Sequence, residues 1–89
     1  MEEKSYCNIC KALSDSNRMM IFNLLRKNTM CAFEILEHLQ CSQPTLSYHM
    51  KQLCDCGLVD ATKKGLWVHY SVNEKCLKEF SEYFASKSE

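Results

Sequence analysis

The chain has 89 residues, and 11 Lys plus Arg balance 11 Asp plus Glu to a formal net charge of +0. That excludes a uniformly basic nucleic-acid coat and an acidic tail, though not a DNA reader whose charge is segregated onto one face. Hydrophobic residues at 46% and charged residues at 25% are an ordinary globular balance that argues against disorder. One small domain, 1–89, is expected; it buries only about 60–65% of its unfolded surface and gains from a partner subunit. Only 2 Gly and 1 Pro are present, so tight turns are few and helices should dominate.

The first expected helix covers residues 5–13, with Tyr6, Ile9, Cys10 and Leu13 at helical spacing. Ser14-Asp15-Ser16-Asn17 is a run of four capping residues, where one helix ends and the next begins. The second helix, 17–27, carries Ile21, Leu24 and Leu25 on one stripe, widened by Met20 and Phe22. Lys27-Asn28-Thr29 reads as a break. A third helix, 31–39, faces inward with Ile35, Leu36 and Leu39, and Gln40-Cys41-Ser42 is a turn. Ser42 suits an N-cap, and Pro44 is tolerated in a first turn, where its missing N–H has no helical partner. The fourth helix runs from 43 to about 54 and is ended by Gly57. Leu46, Met50 and Leu53 form its core face, and Thr45, Tyr48, Lys51 and Gln52 lie opposite.

Beyond Gly57 the period changes. Residues 58–62 and 67–72 read as strands joined by a Lys63-Lys64-Gly65 turn. A last helix, 74–85, carries Leu77, Phe80 and Phe84 on one stripe, with Tyr83 beside it. The expected class is mainly α with a β-hairpin. Helix, short turn, helix and hairpin is the order of a winged helix-turn-helix, with about five helices and a two-stranded wing. A helix fits the major groove, where short polar side chains reach base edges, and wing lysines suit phosphates.

Four stretches make this specific: Lys11-Ala12-Leu13-Ser14-Asp15-Ser16-Asn17-Arg18; Cys41-Ser42-Gln43-Pro44-Thr45-Leu46-Ser47-Tyr48-His49-Met50-Lys51-Gln52-Leu53; Gly57-Leu58-Val59; and Gly65-Leu66-Trp67-Val68-His69-Tyr70. In order and spacing they resemble the ArsR/SmtB family of bacterial repressors. The resemblance implies a homodimer packed through its first and last helices, bound to double-stranded operator DNA. It also implies release by an inducer, usually a metal or metalloid ion, with no cofactor needed for DNA binding. It assigns DNA contacts to Ser42, Gln43, Thr45, Ser47, Tyr48 and His49, with Lys51 toward a phosphate. His49 lies nearer the core face, where a structural hydrogen bond is the alternative. Many members carry a basic residue after the turn glycine; Leu66 stands there instead, leaving Lys63 and Lys64 as backbone contacts.

Seven cysteines are an odd count, so a closed disulfide framework leaves one over. The polar Met1-Glu2-Glu3-Lys4 start has no apolar leader, and no stretch reaches the ~18 apolar residues of a membrane span. A reducing cytoplasm with free thiols is expected. Family members with a cysteine-rich box on the third helix differ from this chain, which keeps only Cys31 of it. Others use an N-terminal pair reaching the third helix of the opposite subunit. Cys7 and Cys10, at i and i+3, share one helix face, and Cys31 would complete a three-sulfur site for a soft ion. Cys31 also falls near a helix N-terminus, which favours a thiolate. The alternatives are Cys10 as core with Cys7 idle, or a site built from other thiols. Cys54 and Cys56, at i and i+2, read as one core and one exposed residue, and Cys41 as core.

Glu74-Lys75-Cys76 falls where another subgroup places paired ligands, but Ala85-Ser86-Lys87-Ser88-Glu89 supplies no histidine to complete a zinc site. Three other functions compete with this reading. A repressor of the same fold could sense oxidants or reactive sulfur through a disulfide. A winged-helix module could serve protein contact alone. Catalysis is not expected, since Cys7-x-x-Cys10 opens a helical segment rather than a βαβ unit and no triad or glycine loop is present.

Overall fold

The computed structural model describes residues 1–87, and Ser88 and Glu89 lie outside it. The described residues form α1 (Glu3–Leu13), α2 (Ser16–Lys27), β1 (Met30–Cys31), α3 (Ala32–Leu36), α4 (Gln43–Asp55), β2 (Val59–Lys64), β3 (Trp67–Val72) and α5 (Glu74–Lys87). The three strands make an antiparallel sheet in the order β1-β3-β2. This is the winged helix-turn-helix expected from the order of elements, with one strand more than the sequence pattern showed.

Only Ser14 and Asp15 separate α1 from α2. Asp15 is extended and caps α2, its Oδ1 accepting from the main-chain N–H groups of Asn17 at 2.8 Å and Arg18 at 3.1 Å. The bond from Arg18, then that from Asn17, holds the Asp15 carboxyl below its ordinary value.

The core forms where α2, α4 and the sheet meet. α2 contributes Ile21, Phe22 and Leu25; α4 contributes Leu46, Met50 and Leu53. Ile9, Ala12, Ile35, Leu58, Val59 and Val72 close it from the remaining elements. The buried positions of α4 repeat every three or four residues, which fixes the rotation of the helix about its axis.

β1 was not legible because two residues cannot display an alternation. Met30 pairs with Tyr70 and Cys31 with His69, on the edge of β3 away from β2. Consequently α3 begins at Ala32 and ends at Leu36, rather than covering 31–39. Residues 37 and 38 form a turn, while Leu39 still packs against the core. The wing also differs. Lys63 and Lys64 belong to β2, paired with Val68 and Trp67, and the turn is Gly65-Leu66. Gly65 has φ +62 and no non-glycine residue described is positive, the sign pattern of a type II′ hairpin turn with glycine at its first central position.

The terminal helices pack on each other within the chain. The Tyr6 ring lies 5.2 Å from Phe80 and 4.7 Å from Tyr83, centroid to centroid. Phe84 on the same stripe remains 55% exposed.

Two outcomes follow. Leu53, fully buried on α4, should cost about 2–5 kcal/mol when changed to Ala, read as a lower urea midpoint. The Asp15 carboxyl has a folded pKa below its unfolded value, so its contribution is complete above about pH 4 and lost as pH falls through the folded value. Acid unfolding curves should therefore flatten in Asp15→Asn.

Candidate nucleic-acid interface and thiol positions

The N-terminus of α4 is fastened by its own hydroxyls. Ser42 is the N-cap, and its Oγ accepts from the Thr45 N–H at 3.3 Å and donates to Thr45 Oγ1 at 3.0 Å. Pro44 lies in the first turn, where no in-helix N–H bond is lost. Because Leu46, Met50 and Leu53 are interior, Gln43, Thr45, Ser47, Tyr48 and Lys51 are driven outward, and the structure exposes all five along with Ser42. Tyr48 is 58% exposed. The face is polar, projecting and one helix wide, which are the dimensions a major groove accepts.

Lys51 is not a free cation. Its Nζ donates to Asp55 Oδ2 at 2.6 Å, one turn along α4, and this bond raises the Lys51 pKa. Lys63 and Lys64 are exposed on β2 just before the wing tip, and Leu66 is the tip itself, 94% exposed. Behind it Trp67 meets Phe33 of α3 edge-on, with centroids 5.6 Å apart.

His49 departs from the DNA-contact assignment. It is only 6% exposed, and its Nδ1 lies 3.1 Å from Arg18 Nη1. It sits between Leu46 and Met50 in the buried repeat, so its ring faces inward and makes the structural hydrogen bond of the alternative reading. Nothing local in the sequence marks Arg18 beyond its place after Ser16-Asn17; its partners are 6 and 31 residues away, beyond any local pattern.

Cys7 and Cys10 are exposed on α1. Desolvation and then a hydrogen bond with the Cys10 side chain push the Tyr6 phenol above its ordinary value. Cys31 is half-buried where β1 gives way to α3, and its N–H donates to Glu34 Oε1 at 3.0 Å. That bond, followed by one from the Cys31 side chain, lowers the Glu34 pKa. With five residues, α3 is too short to lend Cys31 much dipole support. Among the described residues no three His, Cys, Asp or Glu side chains gather as a metal site within one chain.

Cys54 and Cys56 do not divide into one core and one exposed residue. Both are half-buried against the core, and burial raises both thiols. α4 ends at Asp55, so helical spacing no longer governs Cys56, whose Sγ lies 3.3 Å from the Leu53 carbonyl oxygen it bonds to. Cys41 is half-buried and packs on the core.

An exposed polar helix presented by a short helix-turn-helix and flanked by a hairpin wing defines a winged-helix DNA-binding class. The profile of the arsR family of bacterial regulatory proteins matches residues 15–61. An arsenical resistance operon repressor of Staphylococcus aureus is 46% identical over 79 residues, covering 89% of this chain and 76% of that protein. The chain belongs to the arsR family, which consists of DNA-binding transcriptional regulators and not enzymes. Among solved structures, an ArsR-like regulator from Rhodococcus superposes with a TM-score of 0.86 at 24% identity, covering 96% of this chain and 80% of that one. A homodimeric winged helix-turn-helix DNA-binding domain from Mycobacterium bovis superposes with a TM-score of 0.78 at 22% identity, again covering 96% and 80%.

The Lys51–Asp55 pair generates a test. Asp55→Asn leaves the Lys51 ammonium unneutralised. Duplex binding should tighten, and its slope of log K on log salt should steepen by about 0.9, one phosphate contact. Anisotropy titrations across a salt series would read it; an unchanged slope removes Lys51 from the DNA surface.

Proposed function

We propose that this chain is a dimeric transcriptional repressor that binds double-stranded operator DNA and leaves it when thiolates capture a thiophilic metal or metalloid ion. The ion belongs to the arsenite, antimonite, cadmium or lead class. The observation that carries the DNA reading is the outward polar face of α4, with Gln43, Thr45, Ser47 and Tyr48 exposed beside a capped N-terminus. Small hydroxyl and amide groups on a groove-sized helix read base edges. Lys63 and Lys64 supply phosphate contacts from the wing.

Residues 1–89 act as one DNA-binding domain in the cytoplasm, paired through the terminal helices. Support comes from the apolar surface left there, Phe84 above all, and from the homodimeric Mycobacterium neighbour. The inducer site is Cys7 and Cys10 of one subunit with Cys31 of the other. Its support is chemical: two exposed thiols one turn apart on α1 are soft donors on one face, and a third thiol lies outside that helix. When bound, the ion would be held by these three thiolates, and holding it would link α1 of one subunit to the other subunit.

The same exposed thiols favour a second reading, in which an oxidant or reactive sulfur species is the signal. Mobility shifts separate the two. Arsenite should release the wild-type chain from operator DNA without oxidant, and Cys7→Ser, Cys10→Ser and Cys31→Ser should each remain bound at the same arsenite level. Release of all three serine variants would remove these cysteines from the site; release by oxidant alone would favour thiol sensing.

A further inference from the structure

We propose that Arg18 is the positioning residue that ties the end of α1 to the recognition helix α4 and thereby sets the aim of its DNA-reading face. The inference rests on the repressor reading and deepens it.

Arg18 makes three connections in one place. Its N–H is held by the Asp15 cap at 3.1 Å, its Nε donates to the Ala12 carbonyl at 2.7 Å, and its Nη1 donates to His49 Nδ1 at 3.1 Å. Ala12 lies in the last turn of α1, where carbonyls run out of in-helix donors and a cation meets the negative end of the dipole. A guanidinium has no acceptor atom, so His49 Nδ1 must be its unprotonated, accepting nitrogen. His49 is the single buried polar side chain among the described residues, and its neighbours Ser47 and Tyr48 are on the outward face. Holding its ring therefore holds the roll of α4.

The planar fork is what allows one side chain to serve both helices. A cleft of about 220 Å³, lined by Asn8 and Lys11 of α1 and by Gln52 and Asp55 of α4, opens beside Arg18. The two helices are thus not sealed together there, and the Arg18 bonds span the gap.

The test compares a duplex selected by the wild-type chain from a randomised pool with a random duplex of equal length. Arg18→Gln and Arg18→Lys, confirmed folded by circular dichroism, should bind the selected duplex about tenfold more weakly. Affinity for random duplex should stay at the wild-type value. His49→Leu should show the same loss, and His49→Asn, whose side-chain oxygen can accept in place of Nδ1, should restore discrimination. The Arg18→Gln/His49→Leu double variant should be no weaker than the weaker single. If Arg18 variants do not fold, the His49 pair carries the same test. Wild-type discrimination in folded Arg18→Gln, or in His49→Leu, overturns the proposal, as does equal weakening on both duplexes. A wild-type chain that selects no sequence overturns the repressor reading and this proposal with it.

Discussion

The rest of the structure depends on the rotation of α4 about its own axis. Leu46, His49, Met50 and Leu53 occupy one side of a thirteen-residue helix and enter the interior with α2 and the sheet. Once they are buried, the positions between them have no freedom: Gln43, Thr45, Ser47, Tyr48 and Lys51 must face water. A slip of one residue would turn the helix by about a quarter turn and send His49 and Met50 outward. Packing thus selects which side chains DNA can meet, and the cap between Ser42 and Thr45 fixes where the helix begins.

Three parts of that interior are apolar and one is not. The His49 ring is compatible with burial because Arg18 satisfies it, and Arg18 is itself held by the α1 carboxyl end and the Asp15 cap. A hydrophobic residue at 49 would fill space but make no directed bond. The Arg18–His49 pair adds direction to packing, which by itself is non-directional. The wing is positioned independently, through the β2–β3 register and the glycine-led turn, with β1 bracing the far edge of β3.

The four longest helices and the two wing strands were legible because each carries a full period of apolar residues or a clear capping residue. Ser42-Gln43-Pro44 marked the start of α4, and Trp67 to Val72 marked β3 with its observed bounds. The features that escaped are those made by distant partners. β1 exists because β3 offers an edge, and its two residues have no pattern of their own. The wing turn moved by one residue because Gly65 leads the turn instead of closing it. The family resemblance places His49 among the DNA contacts although its spacing from Leu46 and Leu53 points inward; its partner, 31 residues earlier, is invisible to local pattern. The zero net charge concealed local pairing of the same kind, since Lys51 spends its charge on Asp55 while Lys63 and Lys64 remain on the wing. The cysteines separate by position: Cys41, Cys54, Cys56 and Cys76 pack against the core, whereas Cys7 and Cys10 face out from α1.

The outer face of α4 and the wing together form the surface proposed to meet DNA. Amide chemical-shift mapping during titration with the selected duplex tests it directly. The largest changes should fall on Gln43, Thr45, Ser47 and Tyr48 and on Lys63 and Lys64, with the outer face of α5 unmoved. Changes concentrated on α5 or on α2, with those six amides silent, would contradict it.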